Sequence, residues 1–391
     1  MKNKFATYLC FAVITVFGMV LTSYSPLLSS ISATFSLSLA QSGIVFTANF
    51  IGFVAFILFG GVLADKLGKK SILAVAAAGF AASLILFPLS SNFYVACIVM
   101  ALIGGFGGII ETLISAVVSD INREKASYYV NFTQVFFCIG AVIGPVTAGL
   151  FVASGVSWGY FYFLLGGINL LLALLLIIAR MPNLRNPDGI SWKLFKGLVT
   201  DGRFLLICLC MFLYTGSEIG SWGWMSTFLK ENMGFSIAKS SIAVGAFWAS
   251  MAVSRFICGH LTFRFAERHI IIVLAVISAL FVYLSGLHMN ELIMWVVIIG
   301  LGFGFSSQWP LIAAFGSKDY KEASGTVFAL LVGSGGLGGT VIPYFMGTIG
   351  EKVNTRVASM SPVVFFAAIA VIFFFIGRRR QKTVSVNPDY S

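Results

Sequence analysis

The chain has 391 residues, 59% of them hydrophobic and 10% charged, with a formal net charge of +11 and a mean hydropathy of +0.97. Soluble domains run at about 45–50% apolar and about 25% charged, so a soluble globular fold, a disordered chain and a nucleic-acid binder are excluded from the outset. What remains is an all-α integral membrane protein.

A helix needs about 20 apolar residues to cross a bilayer. In chain order the sequence predicts twelve such runs, over residues 8–28, 43–64, 71–91, 94–118, 128–152, 159–179, 203–229, 240–262, 269–287, 292–316, 323–349 and 358–377. The basic start at Lys2 and Lys4 is not read as a cleaved leader, because the first run is needed to complete the repeat described below. The longest interruption, residues 181–202, contains Pro182, Pro187, Asp188 and Gly189 and divides the chain into a first bundle (1–180) and a second (203–391). All six cysteines lie in apolar runs, with no zinc-ligand spacing near a histidine, so neither metal site nor disulfide framework is expected.

The Lys and Arg residues orient the spans. With the amino terminus in the cytoplasm, 20 of the 25 fall on cytoplasmic segments, four (Lys230, Lys239, Lys352, Arg356) on outer ones, and Arg255 lies inside span eight. Both termini are therefore expected in the cytoplasm, with the basic loops and Arg378–Arg380 facing anionic lipid.

The halves resemble each other at an offset of 197–198 residues: Gly61 matches Gly259, Gly140 matches Gly338, Pro145 matches Pro343, and Gln308 is set against Glu111. Two parallel six-span repeats, related by an axis along the membrane normal, place a binding site at midplane between them.

Fourteen acidic residues are present; twelve lie in loops, tails or span ends, and two, Glu111 in span four and Glu218 in span seven, lie about 15 residues into their helices, near the membrane midplane. An ionised side chain there costs about 2.5–3.5 kcal/mol or more, so such residues point to function. A buried carboxyl can exchange a proton as solvent access changes, accept hydrogen bonds from hydroxyls, or ligate Na⁺; sequence alone leaves H⁺ and Na⁺ both open. Helical spacing puts Tyr214, Glu218, Trp222 and Met225 on one face of span seven. Thr22 and Ser25 in span one, Asn131 and Gln134 in span five and Gln308 in span ten complete a candidate binding set rich in hydroxyls and amides. Pro310 after Gln308 frees backbone carbonyls. This set lacks a buried base, which favours a neutral polyhydroxyl solute over an organic anion. Arg255, about two turns from the inner end of span eight, is read as snorkelling or pairing at a gate, with contact to the solute as the alternative.

Gly61-Val-Leu-Ala-Asp65-Lys-Leu-Gly68-Lys69-Lys70 resembles the cytoplasmic loop signature of the major facilitator superfamily, and Gly140-Ala-Val-Ile-Gly144-Pro145 resembles its span-five signature. Glu111-Thr112, Asn131-Phe-Thr-Gln134 and Tyr214-Thr-Gly216-Ser-Glu218 are similar to stretches of the fucose:proton symporter branch, although Ser25 stands where that branch's fucose carrier has an Asp. The resemblance implies an alternating-access importer of a sugar or sugar-like solute, acting as a monomer in the cell membrane. No cofactor is implied beyond a coupling ion, H⁺ or Na⁺. Glu111 and Glu218 would couple the ion, and Asp65, Lys69 and Arg255 would gate. The span-five glycines keep a second expectation open, a drug/proton antiporter. No nucleophile–base pair or phosphate loop points to an enzyme.

Overall fold

The computed structural model describes residues 2–122, 126–179, 181, 192–262, 264–287, 289–317 and 324–376. Among these, twelve helices are long and apolar enough to cross a membrane. The first six are α1 (Lys2–Phe35), α2 (Leu39–Leu67), α3 (Lys69–Leu86), α4 (Phe93–Ile121), α5 (Ala126–Ala153) and α6 (Trp158–Ile178). A nine-residue helix, α7 (Trp192–Thr200), lies in the segment expected as a linker; most of that segment, 182–191, is outside the described residues. The second six are α8 (Gly202–Met233), α9 (Ile237–Leu261), α10 (Glu267–Ser285), α11 (Glu291–Phe305) with α12 (Gln308–Ser317), α13 (Ser324–Lys352), and α14 (Thr355–Met360) with α15 (Val363–Ile376). Spans ten and twelve are thus each broken in two.

Turn chemistry sets the helix starts. Ser38 and Gln41 form a reciprocal capping box at α2, with Gln41 N–H on Ser38 Oγ at 3.2 Å and Ser38 N–H on Gln41 Oε1 at 2.9 Å. Asn92, Asp201, Ser236 and Asn290 cap α4, α8, α9 and α11 through their side-chain oxygens, each accepting from a first-turn N–H. The outward faces carry large apolar side chains, among them Tyr94, Ile178, Phe256 and Leu292, each more than 70% exposed. In water this surface would aggregate; in lipid it is the expected exterior.

The internal repeat reappears as matched backbone contacts. Gly140 of α5 lies so close to α1 that a Cβ would fall on the Thr15 carbonyl, and its mate Gly338 of α13 lies equally close to Phe212 of α8. Gly104 of α4 meets the Asn49 carbonyl of α2, and Gly302 of α11 meets Phe247 of α9. Small residues at helix crossings allow this approach, which accounts for the span-five glycines by packing. The second pair fixes the offset around spans four and ten at 198 residues, so the mate of Glu111 is Trp309 rather than Gln308.

The halves meet along α5 with α9 and α2 with α13, with α1 against α8. Several bonds across this seam lie toward the end away from the amino terminus of α1, here the far end. Glu351 accepts from Ala40 N–H at 2.8 Å, Lys230 donates to Ser29 Oγ at 2.8 Å, and Ser226 N–H donates to Ser25 Oγ at 3.4 Å.

Candidate functional site

Glu218 sits mid-way along α8 and is 7% exposed; Glu111 on α4 is half-buried. The two acids come from opposite halves, yet each lies within electrostatic reach of the Arg255 guanidinium on α9, and Glu111 also feels the charge of Glu218. The two acids are thus near one another across the boundary between the halves. Arg255 reaches across the seam as well: its Nη1 donates to the thiol of Cys138 on α5 at 3.5 Å. Its Nε donates to the Ser306 carbonyl at 2.8 Å. The site therefore has a buried base, against the expectation from sequence, and Arg255 does not snorkel. Two carboxylates and one guanidinium carry a net charge of −1 when all are ionised.

Gln134 is half-buried one turn before Cys138 on the same face of α5. Trp222, 1% exposed, packs edge-on to Phe46 of α2 at 5.6 Å and tilts against Trp248 at 5.9 Å. Trp248 in turn meets Phe137 of α5 edge-on at 5.8 Å. This aromatic layer draws on both halves and lies on the far side of the charged groups along α8. The indole N–H of Trp248 is buried with no hydrogen-bond partner, a donor available to a ligand acceptor. Sequence reasoning missed Trp248, which carries neither charge nor motif; its place opposite span five on the seam is a product of packing.

Other expected contacts turn elsewhere. The Thr22 hydroxyl is fully buried between α1 and α5, close to the carbonyls of Gly18 (2.9 Å) and Ala141 (3.2 Å). Ser25 belongs to the far-end seam. Tyr214, by contrast, stays beside Glu218: it is fully buried, with its hydroxyl donating to the Phe305 carbonyl at 2.5 Å and lying close to the Glu218 carboxyl. Gln308 is drawn into the second bundle, donating to Ser278 Oγ of α10 at 2.9 Å; a register error of one residue turns a helical side chain by about 100°. Lys69 pairs with Asp120 of α4 at 2.7 Å, within the first half. The side chains of Asp65 and Asn131 lie outside the described residues.

Two small hollows lie away from the charged groups. One of about 40 Å³ sits in the second bundle among Met225, Met294, Met346 and Trp224, with Leu39 of α2 at its edge. The other, about 10 Å³, lies in the first bundle beside Tyr24, Asn49 and Tyr162.

The arrangement has known counterparts. The profile of the Major Facilitator Superfamily matches residues 10–343 and 207–389. The protein named TsgA homolog of Buchnera aphidicola subsp. Baizongia pistaciae is 23% identical over 366 residues, covering 92% of this chain and 91% of its own. Among solved structures, a D-xylose-proton symporter superposes with a TM-score of 0.81 at 15% identity, over 98% of this chain and 99% of its own. The Escherichia coli fucose:proton symporter FucP superposes with a TM-score of 0.71 at 18% identity, over 97% and 100%.

Proposed function

Because the chain belongs to the Major Facilitator Superfamily, and is thus a multi-pass membrane transporter, we propose that it imports a sugar or sugar-like neutral solute by alternating access, coupled to H⁺ or Na⁺. What supports this is that Glu111 of the first half lies within electrostatic range of Arg255 and Glu218 of the second, while Arg255 reaches Cys138 across the seam. One cation taken up by this group makes it neutral, so the loaded seam can close around an uncharged solute without burying excess charge. The carboxylates accept from solute hydroxyls, Arg255 and the Trp248 indole donate to them, and the aromatic layer of Trp222 and Trp248 covers the apolar face of a sugar ring. Solved neighbours that carry D-xylose and fucose support this solute class.

With the amino terminus in the cytoplasm, as the basic loops favour, the end joined by Glu351, Lys230 and Ser226 is the outer gate. Lys69 with Asp120 then stiffens the cytoplasmic ends of α3 and α4. The exporter reading loses its prompt, since close packing of α1 on α5 explains the span-five glycines.

The test is uptake by the purified protein in liposomes. A panel of pentoses, hexoses and nucleosides is offered under an inward H⁺ or Na⁺ gradient. Gradient-dependent accumulation of one of these solutes is expected. Efflux of lipophilic cations, with no sugar accumulated under either gradient, would refute the proposal.

A further inference from the structure

Span ten is interrupted inside the hydrocarbon layer. α11 stops at Phe305 and α12 begins at Gln308, with Ser306 and Ser307 between. The cause is Pro310, which has no N–H to offer the carbonyl four residues earlier, that of Ser306. In a membrane such a carbonyl must find another donor, and Arg255 supplies it through Nε at 2.8 Å. The preceding carbonyl, Phe305, takes the Tyr214 hydroxyl at 2.5 Å. Ser254 donates to the Phe303 carbonyl at 2.9 Å and lies 2.7 Å from Ser306 Oγ. The break is therefore held by side chains of α8 and α9. Two of them, Tyr214 and Arg255, are also neighbours of Glu218.

We propose that Tyr214 and Arg255 are positioning residues that tie the break in span ten, and with it the swing of α12, to the charge on Glu218. The proposal rests on the reading that Glu218 gains and loses a cation during transport. When Glu218 is neutral, both donors stay on the backbone carbonyls and α12 is held to α11, as in this structure. When Glu218 is ionised, it competes for the same donors, and hydrogen bonds to a charged acceptor are about twice as strong as those to a neutral one. The donors move to the carboxylate, the Ser306 and Phe305 carbonyls are released, and α12 is free to pivot about Pro310. Around Glu218 the ionisable groups are Glu111 from α4, the Cys138 thiol from α5, Tyr214 from α8 and Arg255 from α9; α11 and α12 contribute hydroxyls and carbonyls at the break. A one-residue change at Glu218 thereby reaches a segment that runs to the cytoplasmic end of the second bundle.

The experiment is hydrogen exchange on the full chain in lipid nanodiscs, without solute, read on peptides covering residues 306–317. Exchange is measured at about pH 6 and about pH 8 and corrected for intrinsic rates. Protection in the wild type is expected to fall about tenfold at the higher pH, the weight of one charge-assisted hydrogen bond. Glu218→Gln should remain protected at both. Pro310→Ala restores an N–H for the Ser306 carbonyl and should also be protected at both. Arg255→Lys keeps the charge but loses the Nε donor and should lose protection at low pH, and Arg255→Lys with Pro310→Ala should regain it. Wild-type protection that is the same at both pH values, or a pH response that survives either Glu218→Gln or Pro310→Ala, would overturn the proposal. No solute is present, so a failed sugar panel leaves these outcomes readable. Coupled uptake with an unresponsive 306–317 segment sinks this inference alone.

Discussion

Glu218→Gln tests the charge count at the seam most directly. Glu111, Glu218 and Arg255 sum to −1 when ionised, and a single H⁺ or Na⁺ brings the sum to zero. On the proposed coupling, one cation per cycle is expected. A tenfold gradient of that cation is worth about 1.4 kcal/mol, so an uncharged solute should accumulate about tenfold at zero membrane potential. A potential of about 100 mV adds about 2.3 kcal/mol for the one charge moved. In Glu218→Gln the remaining Glu111 and Arg255 already form a neutral pair, and no cation is needed to balance the site. Accumulation should fall to unity while exchange of labelled for unlabelled solute continues. Glu111→Gln leaves Glu218 and Arg255 as the neutral pair and should behave alike. Replacing both acids strands a buried guanidinium, at about 3–5 kcal/mol, and should abolish transport. The assay is the plateau of solute uptake in liposomes, with the potential clamped at zero. A tenfold plateau in Glu218→Gln would remove that residue from coupling, and a hundredfold plateau in the wild type would mean two cations and refute the count.

Four further outcomes follow from the packing. Trp248→Phe and Gln134→Ala should each weaken solute affinity about tenfold, the worth of one hydrogen bond to a ligand; unchanged calorimetric affinity in both would place the solute elsewhere. Gln308→Ala should leave affinity unchanged but lower thermal stability by about 1–2 kcal/mol, since its amide bonds Ser278 inside the second bundle; a selective loss of affinity would return it to the site. Gly140→Val and Gly338→Val push a side chain into the Thr15 and Phe212 carbonyls and should each cost about 1–3 kcal/mol or more, and a wild-type melting temperature for either would show the crossing is loose. Glu351→Gln weakens a partly solvated far-end contact to Ala40 by about 1 kcal/mol or less. Distances between spin labels on α2 and α13 should then show a larger far-open fraction, and an unaltered distribution would exclude Glu351 from the outer gate.

The spans, the repeat and the two membrane acids were legible because each rests on a coarse signal. A run of apolar residues does not depend on which way any one side chain points, and a carboxylate at midplane is conspicuous whichever way it turns. The direction of a single side chain is finer. Placing Gln308 opposite Glu111 required a register good to one residue, and the glycine contacts Gly104–Asn49 and Gly302–Phe247 set it one residue away. Thr22 shares a helix face with plausible site residues, but its hydroxyl, near two backbone carbonyls of its own bundle, is satisfied there. Face periodicity cannot weigh that competition.

Arg255 shows where a better reading of the sequence was possible. Judged by depth alone, an arginine two turns from a helix end reaches for the interface. Yet span ten contains Pro310, and a proline within hydrocarbon leaves a carbonyl wanting a donor. An unpaired cation in one span and an unserved acceptor in another are each costly and become tolerable together. Adding two midplane acids that lack a base makes the same cation the natural partner of all three. The structure realises this economy: one guanidinium serves the Ser306 carbonyl, meets the Cys138 thiol across the seam and lies within reach of both acids. The proposed response of span ten draws on that sharing, because a group that answers to several acceptors redistributes when the charge on any one of them changes.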